Sequence, residues 1–316
     1  MDFEAPDWQA LLSSVSRRRR FAFCPVGYYL YHVPGRDGYA GHREDWHYRL
    51  YAAKHQLSAS AWGIELWRRS IRNYFLRNSG VRRRKLENFL RSCFEREFNL
   101  LEQRAFENDP KLVHAVLEIE SGKLSLQQFY DRSLLQMSNL LAMFSAHDIY
   151  PELLSLPLPD FRDIESCWQP WQIGGVTFYN PPDLLWKRNN SLQILDMTSY
   201  AFEQERSRAA ELFKAYIYCF MHIAPEAVQV NFLDLRSGEL VCNIACDEDF
   251  GTMYRQLAGE AAMWRDYLVM QNKNGKLGKW LHCRLENCGY CRFSGLCPAV
   301  SGTPEPENRS INQMDE

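Results

Sequence analysis

No apolar run in this sequence approaches the roughly 18 residues a membrane-spanning helix needs, so none of it reads as a membrane segment. Residues 1–16 lack the basic-then-apolar order of a secretory signal, and a cytoplasmic protein is the expectation that follows. No internal repeat recurs along the chain. Overall charge is also scarce, at a formal net of −2. What remains is an ordinary globular composition, 46% hydrophobic and 14% aromatic over 316 residues, which excludes a disordered chain and allows one large domain or two smaller ones. The ten cysteines, in a cytoplasmic chain, read as buried thiols and metal ligands, because disulfides rarely persist there.

The small net charge hides a division. Residues 1–100 hold 18 Lys and Arg against 10 Asp and Glu, whereas the remainder holds 19 against 29. The excess lies in Arg17–Arg20, in Arg68, Arg69, Arg72 and Arg77, and in Arg82, Arg83, Arg84 and Lys85. Such clusters are the footprint of a nucleic-acid backbone, although each also fits a solvated helix face.

Residues 20–33 read as a turn opening a helix through Tyr28, Tyr29 and Leu30, and 34–45 as a polar loop. From Trp46 to Phe106 apolar residues recur at helical spacing, broken at Gly80, and 125–147 form another helix. The proline-rich piece 151–160 reads as a linker. Strand-like runs follow at Ile173–Tyr179, Leu184–Lys187 and Leu192–Asp196, with Asn189 and Asn190 as a hairpin turn. A helix at Glu203–His222, strands at Val228–Leu235 and Leu240–Cys246, and a helix from Asp249 to Gln271 complete an α/β core of helices on a mixed sheet. The organisation is thus a basic helical lobe (1–160), an α/β core (161–272), a cysteine-rich segment (273–298) and a disordered tail (299–316).

Two constellations can carry chemistry. Cys288, Cys291 and Cys297 stand in a C-x2-C-x5-C array beside Tyr290 and Phe293, and Cys24, in Phe23-Cys24-Pro25, is the candidate fourth ligand for a soft metal or inorganic cluster. A local set of Cys283, Cys288, Cys291 and Cys297 would need no Cys24. The second is Asp183 with Asp196, which a hairpin through Asn189-Asn190 brings to one open end. There they can hold Mg²⁺ or Mn²⁺ for phosphodiester chemistry, or serve simply as turn and strand-end residues.

Phe23-Cys24-Pro25-x-x-Tyr28-Tyr29, Gly63-Ile-Glu-Leu-Trp67, Pro182-Asp183-Leu184-Leu185, Ile194-Leu195-Asp196-Met197-Thr198 and the closing cysteine array come in order. In this the chain resembles the PD-(D/E)XK nuclease superfamily, in its iron-sulfur branch of RecB- and AddB-like and CRISPR-adaptation exonuclease-like proteins, over about residues 20–298. The resemblance implies a restriction-endonuclease-like core whose ends are joined by a 4Fe-4S cluster on Cys24, Cys288, Cys291 and Cys297, with zinc as the competing occupant. It implies Asp183 and Asp196 as ligands of Mg or Mn.

The sequence departs from the pattern at the chemistry. Thr198 stands where the family places a lysine two residues after the second acid, Trp67 where a helix often carries a metal-binding histidine, and the helix after the core offers Tyr216 without a clear glutamine. A hydroxyl supplies no cation and an indole N–H ligates no metal. Lys187, on the face of its strand shared with Asp183, and Lys214, on the following helix, are the candidate replacements. Lys214 lies among Phe213, Tyr216 and Ile217, where a snorkelling surface lysine is the plainer reading. The expectation is a catalytically impaired, DNA-binding protein of DNA processing, repair or defence, with a helicase or nuclease subunit as its expected partner. An active Mg- or Mn-dependent DNA exonuclease and a zinc-stabilised protein-interaction module are the alternatives.

Overall fold

The computed structural model describes residues 12–13, 23–32, 45–76, 85–173, 176–198, 203–242 and 285–297, with isolated helical positions between 251 and 262. The chain forms a mixed α/β fold in which a four-stranded mixed sheet is flanked by helices on both faces.

The helical layer follows from apolar spacing. Helices α1 (Pro25–His32) and α2 (Trp46–His55) precede α3 (Ala59–Leu76). In α3, Trp62, Leu66, Trp67, Ser70, Ile71, Tyr74 and Phe75 recur every three or four residues and form one buried stripe. Helix α4 (Leu86–Glu102) buries Leu86, Leu90, Cys93, Phe94 and Leu101. Helix α5 (Leu126–Ser145) opens on a capping box in which Ser125 and Gln128 satisfy each other's backbone N–H groups. Gly63 marks the place where α3 meets α5: a Cβ there would collide with the Gln136 side-chain amide, which instead donates to Ser60 O at 3.2 Å.

Residues 151–160 are not a linker. Ile149–Ser155 forms helix α6, with Ile149 and Leu153 buried, and Leu158–Asp160 a 3-10 turn that leads into a bridge between Phe161 and Trp186. Trp186 also donates to Glu152 at 3.3 Å. One apolar core therefore runs from Trp62 through Phe144, Leu153 and Phe161 to Leu184, Trp186, Leu195, Met197 and Leu233, so the helical layer and the sheet pack as one body.

Two short strands, β2 (Trp171–Ile173) and β3 (Val176–Phe178), occupy the region expected as a single strand. They pair antiparallel in a separate sheet, whose third member is β1 (Leu12–Ser13), parallel to β3. The main sheet is built from β4 (Leu184–Arg188), β5 (Ser191–Thr198), β6 (Val228–Asp234) and β7 (Leu240–Val241), in that order. β4 and β5 pair through the Asn189-Asn190 turn, Asn189 taking φ of 52°, a value that asparagine tolerates. Helix α7 (Glu203–Met221) then crosses over so that β6 pairs parallel with β5. Alternation along β5 sends Leu195 and Met197 into the helical layer and Leu192 and Ile194 against α7, where Ala210, Phe213 and Ile217 meet Val230 and Phe232. β7 covers Leu240–Val241, residues 243–246 of the expected Leu240–Cys246 strand lie outside the described residues, and of the expected 249–271 helix the described positions between 251 and 262 are helical. Gly80, the expected helix break, and the expected tail 299–316 lie outside the described residues. Among the described residues no helix is long and apolar enough to cross a membrane.

Candidate functional site

Register brings the two acids together. Leu184 pairs with Leu195, so Asp183 stands opposite Asp196 at the open end of the β4–β5 hairpin, its N–H donating to Leu195 O at 3.1 Å. The preceding Pro181 and Pro182 bring no N–H to the ladder, and the Asp183 carboxylate takes over as partner, accepting from Met197 N at 2.6 Å. Asp196 pairs across β5–β6 with Phe232, and both carboxylates are within reach of one side chain from α3. They are almost wholly buried, at 1% and 2% exposure.

The cation on this pair is Arg68. Its guanidinium, from α3, donates through Nε to Asp183 Oδ2 at 3.2 Å and through Nη2 to Asp183 Oδ1 at 3.0 Å, and Nη2 stands 3.8 Å from Asp196 Oδ1. Glu65 Oε2 approaches Arg68 from the exposed side at 3.9 Å. Burial works against the guanidinium's charge, but Asp183, Asp196 and Glu65 outweigh it and hold the Arg68 proton more tightly than usual. Such a fork on a carboxylate is the strongest arrangement an arginine makes. Its Nη2 thus faces both carboxylates at once.

The remaining cations divide. Lys187 pairs with Leu192 near the turn, exposed and about 13 Å along the strand from Asp183, so it does not reach the acids. Lys214 departs from the surface reading: it is buried at 8% exposure, beside Phe213, whose ring stacks on Phe232 at 6.3 Å. Arg69 pairs with Glu97 at 2.8 Å, Arg72 is half-buried and Lys85 is exposed ahead of α4. Arg82, Arg83 and Arg84 lie outside the described residues. Trp67 is fully buried, edge-on to Phe144 at 5.6 Å, so its indole is a core residue.

Elsewhere, residues 23–32 and α2 meet residues 285–297. Cys24 and Cys297 are buried with Val26, Leu30, Leu50, Ala53 and Phe293 in one apolar cluster that Cys291 joins. Asn287 Nδ2 donates to Phe23 O at 2.6 Å, Trp46 Nε1 to Leu296 O at 3.1 Å, and Arg292 Nη1 to the carbonyls of Lys54 and Gln56 at 2.9 and 2.7 Å. Gly27 N–H donates to Cys24 Sγ at 3.4 Å, and a Cβ added to Gly27 would stand 3.7 Å from Cys291 Sγ. Burial pushes the Cys291 thiol above its usual pKa, and the charges of Cys24, Cys297 and Cys288 push it the same way. The four cysteines thus share one neighbourhood, backed by a backbone N–H suited to a thiolate. Among the described residues, no group of three or more His, Cys, Asp or Glu side chains stands ready to hold a metal ion, and Cys283 lies outside them.

The role of Arg68 and the residues joining the chain ends were not apparent from sequence. Comparison of the chain with protein-family models, with curated proteins and with solved structures gave no match. The fold and site define a mixed α/β protein with a buried acid pair at the open end of a hairpin and a thiol neighbourhood where residues 23–32 meet residues 285–297.

Proposed function

We propose that this chain is a PD-(D/E)XK-like iron-sulfur protein that binds DNA and serves as a structural or positioning subunit in DNA processing, repair or defence. Its nuclease site is impaired. The observation that carries the reading is Arg68 seated between Asp183 and Asp196: the acids hold their place at the hairpin's open end, but with a guanidinium there they do not fit Mg²⁺ or Mn²⁺. The β4–β5 hairpin, the α7 crossover and the parallel β6 support the fold assignment.

Cys24, Cys288, Cys291 and Cys297 are the residues that would hold a 4Fe-4S cluster, with zinc as the competitor. The cluster would supply cross-linking of the chain ends and no chemistry at the acids. Asn287, on Phe23 O, and Arg292, on the carbonyls of Lys54 and Gln56, tie the cysteine-rich segment to the N-terminal helices. DNA would follow the basic side of the helical layer, with Arg72 and Lys85 as the described contributors. Arg68 and Arg69 already face carboxylates. A helicase or active nuclease is the partner class such a subunit fits.

The test is retention of duplex and single-stranded DNA across a salt series. Retention that falls steeply with log salt, weakened in Arg72→Gln with Lys85→Gln, is expected. No retention at low salt would end the DNA reading. A second reading, an active exonuclease, is favoured by the burial of Lys214 on α7, the helix that follows β5.

A further inference from the structure

A cavity of about 340 Å³ opens between α2 and residues 108–111, lined by Tyr48, Tyr51, Asn108, Asp109, Pro110 and Lys111. It shares no lining residue with the acid pair or the thiols. Its volume falls within the roughly 300–1,000 Å³ of small-molecule sites.

The walls are fixed by their own contacts. Tyr48 and Tyr51 are three apart on α2 and so lie on one side of the helix. The Tyr48 hydroxyl donates to Glu107 O at 3.1 Å, and the Tyr51 ring rests at 4.8 Å from His55, which stacks on His114 at 5.9 Å with planes 4° apart. Opposite, Asp109 Oδ1 accepts from the backbone N–H groups of Lys111 and Leu112 at 3.0 Å. That turn sets the exposed Lys111 at the rim. The corner behind is cationic: burial first, then Lys54, His114, Lys111 and Arg292, bring the His55 pKa down to about 4. Among the described lining residues Asp109 is the one carboxylate.

Aromatic walls, an amide and a carboxylate beside them, and an ammonium at the mouth match one ligand chemistry. We propose that this cavity binds a mononucleotide, its base against Tyr48 and Tyr51, its polar edge towards Asn108 and Asp109, and its phosphate at Lys111. The assignment is independent of the acid pair and of DNA retention, so either can fail without the other.

The experiment is isothermal titration of the full-length protein with AMP, adenosine and inorganic phosphate in turn, for wild type, Lys111→Gln and Tyr48→Leu. Circular dichroism confirms that both variants fold. AMP should saturate one site. Lys111→Gln should weaken AMP about tenfold, the scale of one lost hydrogen bond to a charged group, and leave adenosine unchanged. Tyr48→Leu should weaken both. Phosphate binding as tightly as AMP would mean a bare anion site and overturn the nucleotide assignment. So would AMP binding indifferent to both variants, or no saturation at millimolar AMP.

Discussion

Replacing Arg68 by methionine is the sharpest perturbation the structure offers. Methionine keeps an aliphatic stem at this position of α3 but removes the fork on Asp183 and the charge facing Asp196. In formal charge the group of Arg68, Asp183 and Asp196 moves from −1 to −2, with both carboxylates almost wholly buried. Removing one partner of a buried ion pair costs about 3–5 kcal/mol, because the surviving charges have no cation to face. Arg68 is a quarter exposed, so water recovers part of that and about 3 kcal/mol is expected. Arg68→Lys keeps the charge without the fork and should cost about 1–2 kcal/mol. Urea unfolding at pH 7, with both midpoint and slope fitted, measures this. The vacated acid pair should also recover stability with Mn²⁺ in proportion to RT ln(1 + [Mn²⁺]/Kd), whereas wild type should not. Arg68→Met within about 0.5 kcal/mol of wild type, the range of an ordinary surface substitution, would refute the reasoning.

Trp67→Ala should destabilise by about 3–5 kcal/mol in urea unfolding, because the indole is fully buried against Phe144. His55 carries a depressed folded pKa of about 4. Its contribution is therefore present above pH 6.5 and is lost as pH falls towards 4. Solvent screening of this half-exposed ring holds the change to about 1 kcal/mol, and His55→Gln should flatten the acid limb of the stability curve by that amount. The proposed cluster predicts a broad absorbance at about 400 nm in anaerobically purified protein, lost in Cys24→Ala; colourless wild-type protein would end the iron reading, and colour that survives the substitution would remove Cys24 from the ligand set. Arg292→Gln should lower stability by about 1–3 kcal/mol, since the carbonyls of Lys54 and Gln56 lose a charged donor.

Much of the fold was legible because it rests on local signals. The Asn189-Asn190 turn fixed the register that places Asp183 opposite Asp196, and helix α7 lies within a residue of its expected bounds. Helix α5 carries its start signal in Ser125 and Gln128. Residues 151–160 misled because prolines suggest a break, yet Pro151 falls in the first turn of α6, where a missing N–H costs nothing. The single strand expected at 173–179 proved to be two short strands paired with each other, and the distant β1 joins β3 in that second sheet. Arg68 was legible as a cation but not as the partner of Asp183, 115 residues away, because a basic cluster looks the same whether it faces solvent or a buried acid. Lys214 failed similarly: apolar neighbours surround a snorkelling lysine and a buried one alike.

The measurement closest to the central claim is degradation of end-labelled single- and double-stranded DNA with Mn²⁺, comparing wild type, Asp196→Ala and Lys214→Met. An acid pair closed by Arg68 predicts no cleavage by any of the three, from wild-type protein that still retains DNA. Wild-type cleavage that disappears in Asp196→Ala would contradict it and establish a working nuclease, with loss in Lys214→Met marking the displaced lysine.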